Sequence, residues 1–418
     1  MISDEKITQT FERITNILEN LEKKVYGASN ADDGDDKIDD IDEMRANLQN
    51  RITSQLENLG ALNPLLKDPT VNDILINGAS NVYVERNGKL EKTDINLGKD
   101  SEVIRVANEI VETVGRKLDK RRPLVDARLL DGSRVNVIAP PLSVDGTTIS
   151  IRKFATRAIT LDNMVEQGNI NKALADILYI CGASRMNVLI SGGTGSGKTT
   201  LLNAVSKSID HNERIVTIED AAELKLQQPH VIRLETKPFE IGGSRDVEVT
   251  IRDLVKNSLR MRPDRIIVGE VRGPEAFDMM QAMNTGHEGS MTTVHANHPR
   301  DALSRIENMI MMANLGIPMK AIRYQISSAL NVIVQISRMR DGHRRVTHVS
   351  EVVGMEGEII TLQDLFNFVP DGSISKDGRL GGKFLWSGIV PRFVRRVAYW
   401  GHQDKLAKAL GLDLQRMS

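Results

Sequence analysis

Gly192, Gly197, Lys198 and Thr199 occupy the fixed positions of G-x-x-x-x-G-K-[ST] within the stretch from Ile190 to Leu202. Residues of these types at this spacing capture polyphosphate. The other loop residues, Gly193, Thr194, Gly195 and Ser196, are small enough for backbone N–H groups to turn inward as a nest, and Thr200 follows in the first helical turn. The helix N-terminus beyond the loop adds a partial positive charge. Lys198 can reach the β- and γ-phosphates, and the Thr199 hydroxyl can take a place on Mg²⁺.

Three further segments carry groups able to act on a bound phosphate. The strand Arg214 to Ile218 runs into Glu219, Asp220 and Glu223, acids at the sheet edge where open α/β sheets bind ligands. An ordinary solvated acidic turn is the competing reading. Ile266 to Val268 is a second strand, and Gly269-Glu270 follows it where an aspartate more commonly stands. Glutamate can still abstract or orient a proton from water, and phosphoryl transfer needs such an acid together with cations. Arg260, Arg262 and Arg272 are the candidate cations. The segment Thr285 to His295 places His287 and His295 at opposite ends of a strand, Ser290 to Val294. Zinc is set aside because the chain has one cysteine, Cys181, and no tight pair of histidines. A histidine that senses the γ-phosphate or couples domains is more economical beside a phosphate loop.

These groups need a framework to hold them. The chain has 418 residues, enough for two or three domains, and 40% apolar content, enough for real cores. A net charge of −1 gives no basic field for coating nucleic acid. One cysteine excludes a disulfide framework and fits a reducing cytosol. The first residues are too polar for a signal peptide, and no apolar run approaches the ~20 residues of a membrane-spanning helix. The expectation is a cytoplasmic protein that meets a membrane only through partners.

The chain divides into five stretches. Residues 1–60 form a helical extension with an a/d seam over Ile7, Phe11, Ile14, Leu18, Leu21 and Val25, an acidic linker at 29–43, and a second helix from Met44 to Leu59. Residues 61–155 form a smaller N-terminal α/β domain. Its strands are Val71 to Ile76, Val82 to Glu85, a hairpin of Val125 to Leu130 with Arg134 to Ile138 turning at Asp131-Gly132, and Thr148 to Lys153; helical spacing runs from Val103 through Val114 to Leu118. Arg121, Arg122, Arg128, Arg134 and Arg152 are its notable content, although most surface arginines only solvate a face. A linker, 156–170, leads to a motor domain at 171–353, where strand-like and helical runs alternate as in a mostly parallel sheet covered on both faces. The tail, 354–418, is glycine-rich, carries Arg392, Arg395 and Arg396, and ends in a helix from about Asp404 to Leu410.

In order and spacing the four segments resemble those of the hexameric ATPases of type II and type IV secretion and of type IV pili. Ser191 to Thr200 looks like the Walker A box, Arg214 to Leu224 the Asp box, Arg262 to Gly273 the atypical Walker B, and Thr285 to Ala296 the His box. The sequences Asp68 to Gly78, Asp131 to Asn136, Ser150 to Phe154 and Met355 to Leu365 are similar to the CpaF-type ATPases of Tad (Flp) pili. The four-cysteine zinc module of many type II secretion relatives is absent from the sequence.

The resemblance implies a RecA-like P-loop fold, a homo-hexameric ring, ATP and Mg²⁺ as ligands, and ATP held between the two domains. It implies arginines reaching in from the N-terminal side: Arg134 and Arg152 lie in the matching motifs, and Arg128 follows with less support. Glu270 becomes the main catalytic acid and Glu219 an organiser of Mg²⁺ and water, with the two roles exchangeable; Thr199, Glu219 and Glu270 are the metal-side residues. Lys198, His287 and His295 complete the site. The ring is expected at the inner face of the inner membrane, pressing on a polytopic platform protein and driving assembly of a Tad pilus, with retraction as a further option, without binding nucleic acid. A related ATPase exporting protein or DNA through a type IV secretion channel is the alternative. A nucleotide-gated scaffold with little turnover is the alternative of another class.

Overall fold

A computed structural model describes residues 60–413, apart from 87, 114–115, 130–131, 154–158, 238–247 and 376–377. The expected extension at 1–59 with its acidic stretch, Val114, the ends of the hairpin at Leu130 and Asp131, Phe154 and the residues after 413 lie outside that set.

Residues 71–152 build an antiparallel sheet in the order β3-β2-β1-β6-β5-β4. Its strands are β1 (Val71–Asn77), β2 (Val82–Arg86), β3 (Lys89–Lys92), β4 (Leu124–Arg128), β5 (Arg134–Ile138) and β6 (Thr148–Arg152). Alternate residues are buried, among them Ile74, Ile76, Val82, Val84, Val135, Val137, Ile149 and Ile151, as one covered face of a pleated sheet requires. The helix Asp100–Glu112 buries Val103, Val106, Ala107, Ile110 and Val111. Its start is tied to β6 by Asp100, whose carboxylate accepts the Thr147 backbone N–H at 2.6 Å. The edge strand β3 is exposed throughout, and no hydrophobic alternation marks it in the sequence.

The motor sheet has nine strands in the order β15-β14-β13-β12-β7-β11-β10-β8-β9. Five parallel pairings join β12 (Val332–Arg338), β7 (Val188–Gly192), β11 (Met291–Val294), β10 (Arg265–Val268), β8 (Ile215–Glu219) and β9 (Val231–Glu235). The four strands β7, β8, β10 and β11 are buried at every position, the texture of a parallel sheet covered on both faces. Successive residues serve opposite cores. Val188, Ile190, Ile215 and Ile267 join one cluster with Leu178 and Leu202 from the helices Lys172–Ala183 and Lys198–Ser206. Leu189, Val216, Ile218, Ile266 and Val268 join another with Val255, Met280, Ile306 and Ile326 from the helices of the opposite face.

The sequence boundary at 353 falls inside a strand. β13 (Arg344–Glu356), β14 (Ile359–Ile374) and β15 (Leu380–Trp386) extend the motor sheet antiparallel from β12. The helices Val394–Tyr399 and Gln403–Leu410 place Val397, Leu406 and Leu410 in the same core as Leu178. Much of the stretch expected as a tail thus packs as part of this sheet and its core. The stretch expected as a linker holds a short helix, Leu161–Glu166, opened by a capping box at Thr160 and Asn163.

Candidate active site

β7, β11, β10 and β8 run in the same direction in register, with Ser191 beside Val294 and Val268 beside Ile218 and Thr292. Their carboxyl ends therefore bring the loop after Gly192, His295, Glu270 and Glu219 to one edge of the sheet. Open α/β sheets bind ligands at this edge.

The loop itself is shaped by glycine where bulk is impossible. A Cβ on Gly192 would stand 2.4 Å from the Ile336 carbonyl oxygen and 2.4 Å from Ser196 Oγ. Gly195 and Gly197 have φ of +67° and +97°, a region that L side chains rarely adopt. Gly193 and Gly195, by contrast, face open space, with nothing within 4 Å of a built Cβ. Three donors converge on the Gly193 carbonyl: Ser196 Oγ at 2.8 Å, the Ser196 backbone N–H at 3.3 Å and Lys198 Nζ at 3.1 Å. Donors gathered this way, with Thr199 and Thr200 in the helical turn behind them, fit a phosphate chain. Burial pulls the Lys198 ammonium below its ordinary value, while the charge of Glu270 opposes the drop and that of Arg272 adds to it.

The acids differ in state. Glu219 is 4% exposed, and burial pushes its carboxyl up to about 7 despite backbone N–H donors. Those donors are Glu223 N at 2.8 Å and Leu224 N at 2.9 Å, so Glu219 holds the following turn in place. The glycine at 269 follows from the same carboxylate, because a Cβ there would come 2.8 Å from Glu219 Cγ. Glu270 is paired with Arg272 at 2.6 Å, and Arg272 also reaches Asp220 at 3.4 Å. Arg260 and Arg262 precede β10 and fall at the opposite edge of the sheet.

A Mg²⁺ site can be judged from these donors. Among the described residues there is no group of three or more His, Cys, Asp or Glu that could hold a metal ion. Mg²⁺ keeps several waters and binds through one or two protein oxygens plus phosphates. The Thr199 hydroxyl would suit that mode directly, while Glu270, paired with Arg272, and Glu219, whose oxygens already accept backbone N–H groups, would suit it through water.

The N-terminal domain closes on the acidic turn. Arg134 Nη1 lies 3.6 Å from Glu223. Arg128 donates to the Ala222 carbonyl at 2.8 Å and pairs with Glu235 at the end of β9. Arg152 pairs with Asp73 of its own domain at 3.0 Å, and its charge also acts on Glu223 and Glu85. Arg134 and Arg128 thus meet the acidic turn, while Arg152 is held by Asp73 of its own domain.

The two histidines separate. His295 approaches the loop, its Nδ1 standing 3.4 Å from Thr194 Oγ1. His287 precedes β11 and lies at the far edge, a strand of four residues or about 13 Å away. Its expected place in the site is corrected on that ground. Arg344, which no motif in the sequence marks, donates to the Gly195 carbonyl at 2.9 Å.

Residues 55–362 match a family model described as type II/IV secretion system protein. The conjugal transfer protein TrbB of Rhizobium radiobacter is 35% identical over 297 residues, covering 70% of this chain and 86% of its own length. The type IV secretion system protein PtlH of Bordetella pertussis is 33% identical over 319 residues, 70% of this chain and 93% of its own. The ATPase DotB of Legionella pneumophila shares the fold, with a TM-score of 0.50, 20% identity and coverage of 88% of each chain.

Proposed function

We propose that the chain, which belongs to the type II/IV secretion system protein family, hydrolyses ATP to ADP and phosphate and passes the accompanying domain movement to an envelope-spanning machine. One observation carries this reading most: Arg134 and Arg128 of one domain dock on the turn that Glu219 of the other holds, at the sheet edge that also carries the phosphate loop and Glu270. Lys198 and the loop N–H groups bind and orient the phosphates. Glu270 and Glu219 orient the attacking water and accept its proton, a task for which a carboxyl near neutrality is suited. His295, through Thr194, reports the state of the loop. Mg²⁺, when bound, neutralises phosphate charge. Arg134 and Arg128 respond to the acidic turn, so closing the domains and completing the site are one event.

Phosphate release by the purified chain tests this. Lys198→Ala and Glu270→Gln are expected to lower turnover at least ~100-fold. Wild-type turnover no higher than that of Lys198→Ala would leave a nucleotide-gated scaffold as the better description.

The machine served is proposed to be a Tad pilus, on the N-terminal motifs at 68–78, 131–136 and 150–154. The chain would act there as a homo-hexamer at the cytoplasmic face of the inner membrane, against a polytopic platform protein. Among the described residues no helix is long and apolar enough to cross a membrane, so docking would run through that partner. The names of TrbB and PtlH favour a second reading, export of protein or DNA through a type IV secretion channel. Deleting the gene separates the two: lost pili support the first, and intact pili with lost conjugation or effector export support the second.

A further inference from the structure

Arg344, the first residue of β13, touches both the phosphate loop and the N-terminal domain. Its Nε donates to the Gly195 carbonyl at 2.9 Å, and its Nη2 lies 3.3 Å from Oε1 of Glu85 on β2. Its stem lies along the same loop, since a Cβ on Gly197 would come 3.2 Å from Arg344 Cδ. The backbone beneath it is clamped by buried Asn169, which donates from Nδ2 to the Arg344 carbonyl and accepts from Val346 N at 3.1 Å. The two hairpins that carry Glu85 and Arg344 also meet directly. A Cβ on Gly88 would stand 3.0 Å from the Gly342 carbonyl oxygen, a contact close enough to call for glycine.

The position of that carbonyl matters because a peptide unit is planar and trans. Holding the Gly195 C=O outward directs the N–H of the next residue, Ser196, to the inner side of the loop. A nest for phosphate depends on that direction. The guanidinium is permanently charged and presents a rigid fork, so one prong can grip the loop while another is held by a carboxylate. The Glu85 side chain is 16% exposed and that of Arg344 35%, so the carboxylate is largely covered while the guanidinium stays partly open to water.

We propose that Arg344 is a positioning residue for the phosphate loop, and that Glu85 orients it. The N-terminal domain thereby sets nucleotide affinity from a residue that does not touch the nucleotide. This inference rests on residues 192–199 being an ATP site. It differs from the docking of Arg134 and Arg128, which act on the acidic turn at the other side of the loop.

A double-mutant cycle tests it, using Glu85→Gln, Arg344→Lys and the two together in the full chain. Binding is read by titration with a non-hydrolysable ATP analogue, and hydrolysis by phosphate release. Each single change is expected to weaken analogue binding and raise KM about fivefold, with kcat within about twofold, since a loop held less well binds ground and transition states equally less well. The double variant should be no weaker than either single one, because Glu85 acts through Arg344. Unchanged binding in Glu85→Gln overturns the proposal, and so do multiplying effects in the double variant. A fall in kcat alone also overturns it. A drop in the thermal midpoint matching the loss of affinity would reduce Arg344 to a structural contact. Wild-type chain that does not bind the analogue at all removes the ATP-site reading itself, a result distinct from each of these.

Discussion

Arg134 of β5 and Glu223 of the turn after β8 stand 3.6 Å apart across the two folded parts of the chain, with 39% and 34% of their side chains exposed. A pair so open to water contributes only ~0–1 kcal/mol to stability. Arg134→Gln should therefore leave the thermal midpoint nearly unchanged. If closure is coupled to chemistry, the same variant lowers kcat at least about tenfold, and adding Arg128→Gln lowers it further. Unchanged turnover in the double variant would uncouple closure from hydrolysis.

The raised carboxyl of Glu219 predicts two pH effects. The folded chain holds this proton up to about 7, whereas the free group releases it near 4.5. Between those values the folded state binds more protons than the unfolded one, so stability falls as pH rises through the window, and the loss is complete above it. Glu219→Gln should flatten that slope in unfolding measured from pH 4.5 to 8. In turnover the sign reverses, because the ionised form is the proton acceptor. Wild-type kcat should climb through pH 7, and the climb should vanish in Glu219→Gln.

Gly192 and Gly193 are neighbours with opposite predicted behaviour. Gly192→Ala forces a methyl to within 2.4 Å of the Ile336 carbonyl oxygen, whereas Gly193→Ala meets nothing within 4 Å. The first should destabilise the fold by about 1–3 kcal/mol in chemical unfolding. The second should leave the unfolding midpoint alone and weaken nucleotide binding, because its methyl occupies the space the loop leaves open to phosphate. Equal stabilities of the two variants would contradict the geometry.

The histidines give a third contrast. His295→Gln should alter nucleotide-dependent turnover, since His295 stands beside Thr194 of the loop. His287→Gln should leave hydrolysis within about twofold and change stability instead, because its Nδ1 is buried at the opposite sheet edge with no hydrogen-bond partner among the described residues. Steady-state kinetics and thermal unfolding on both variants check this.

The loop and its acids were legible in the sequence because each lies a few residues beyond a short apolar run, where strand direction alone decides the edge. The arginines were legible as residues, but the partners of Arg134 and Arg128 were not, since nothing local marks a pairing between sheets. The extension by β13 to β15 was hidden by glycine. Gly382 reads as a loop residue, yet a Cβ there would come 2.5 Å from the Phe368 ring, so the glycine makes room for an aromatic within a paired strand. Arg344 was invisible for another reason: its meaning comes from the neighbour that sheet order gives it.

The three donors on the Gly193 carbonyl have a last consequence. Ser196 Oγ and the Ser196 N–H, with one hydrogen each, must let go of that oxygen to serve a phosphate, whereas Lys198 Nζ has two further hydrogens to offer. Nucleotide entry is then an exchange of acceptors, with affinity set by the difference between two bonding arrangements of one loop. The loop is its own competitive ligand: only the donors freed from Gly193, on a backbone still held in shape, add to its appetite for ATP.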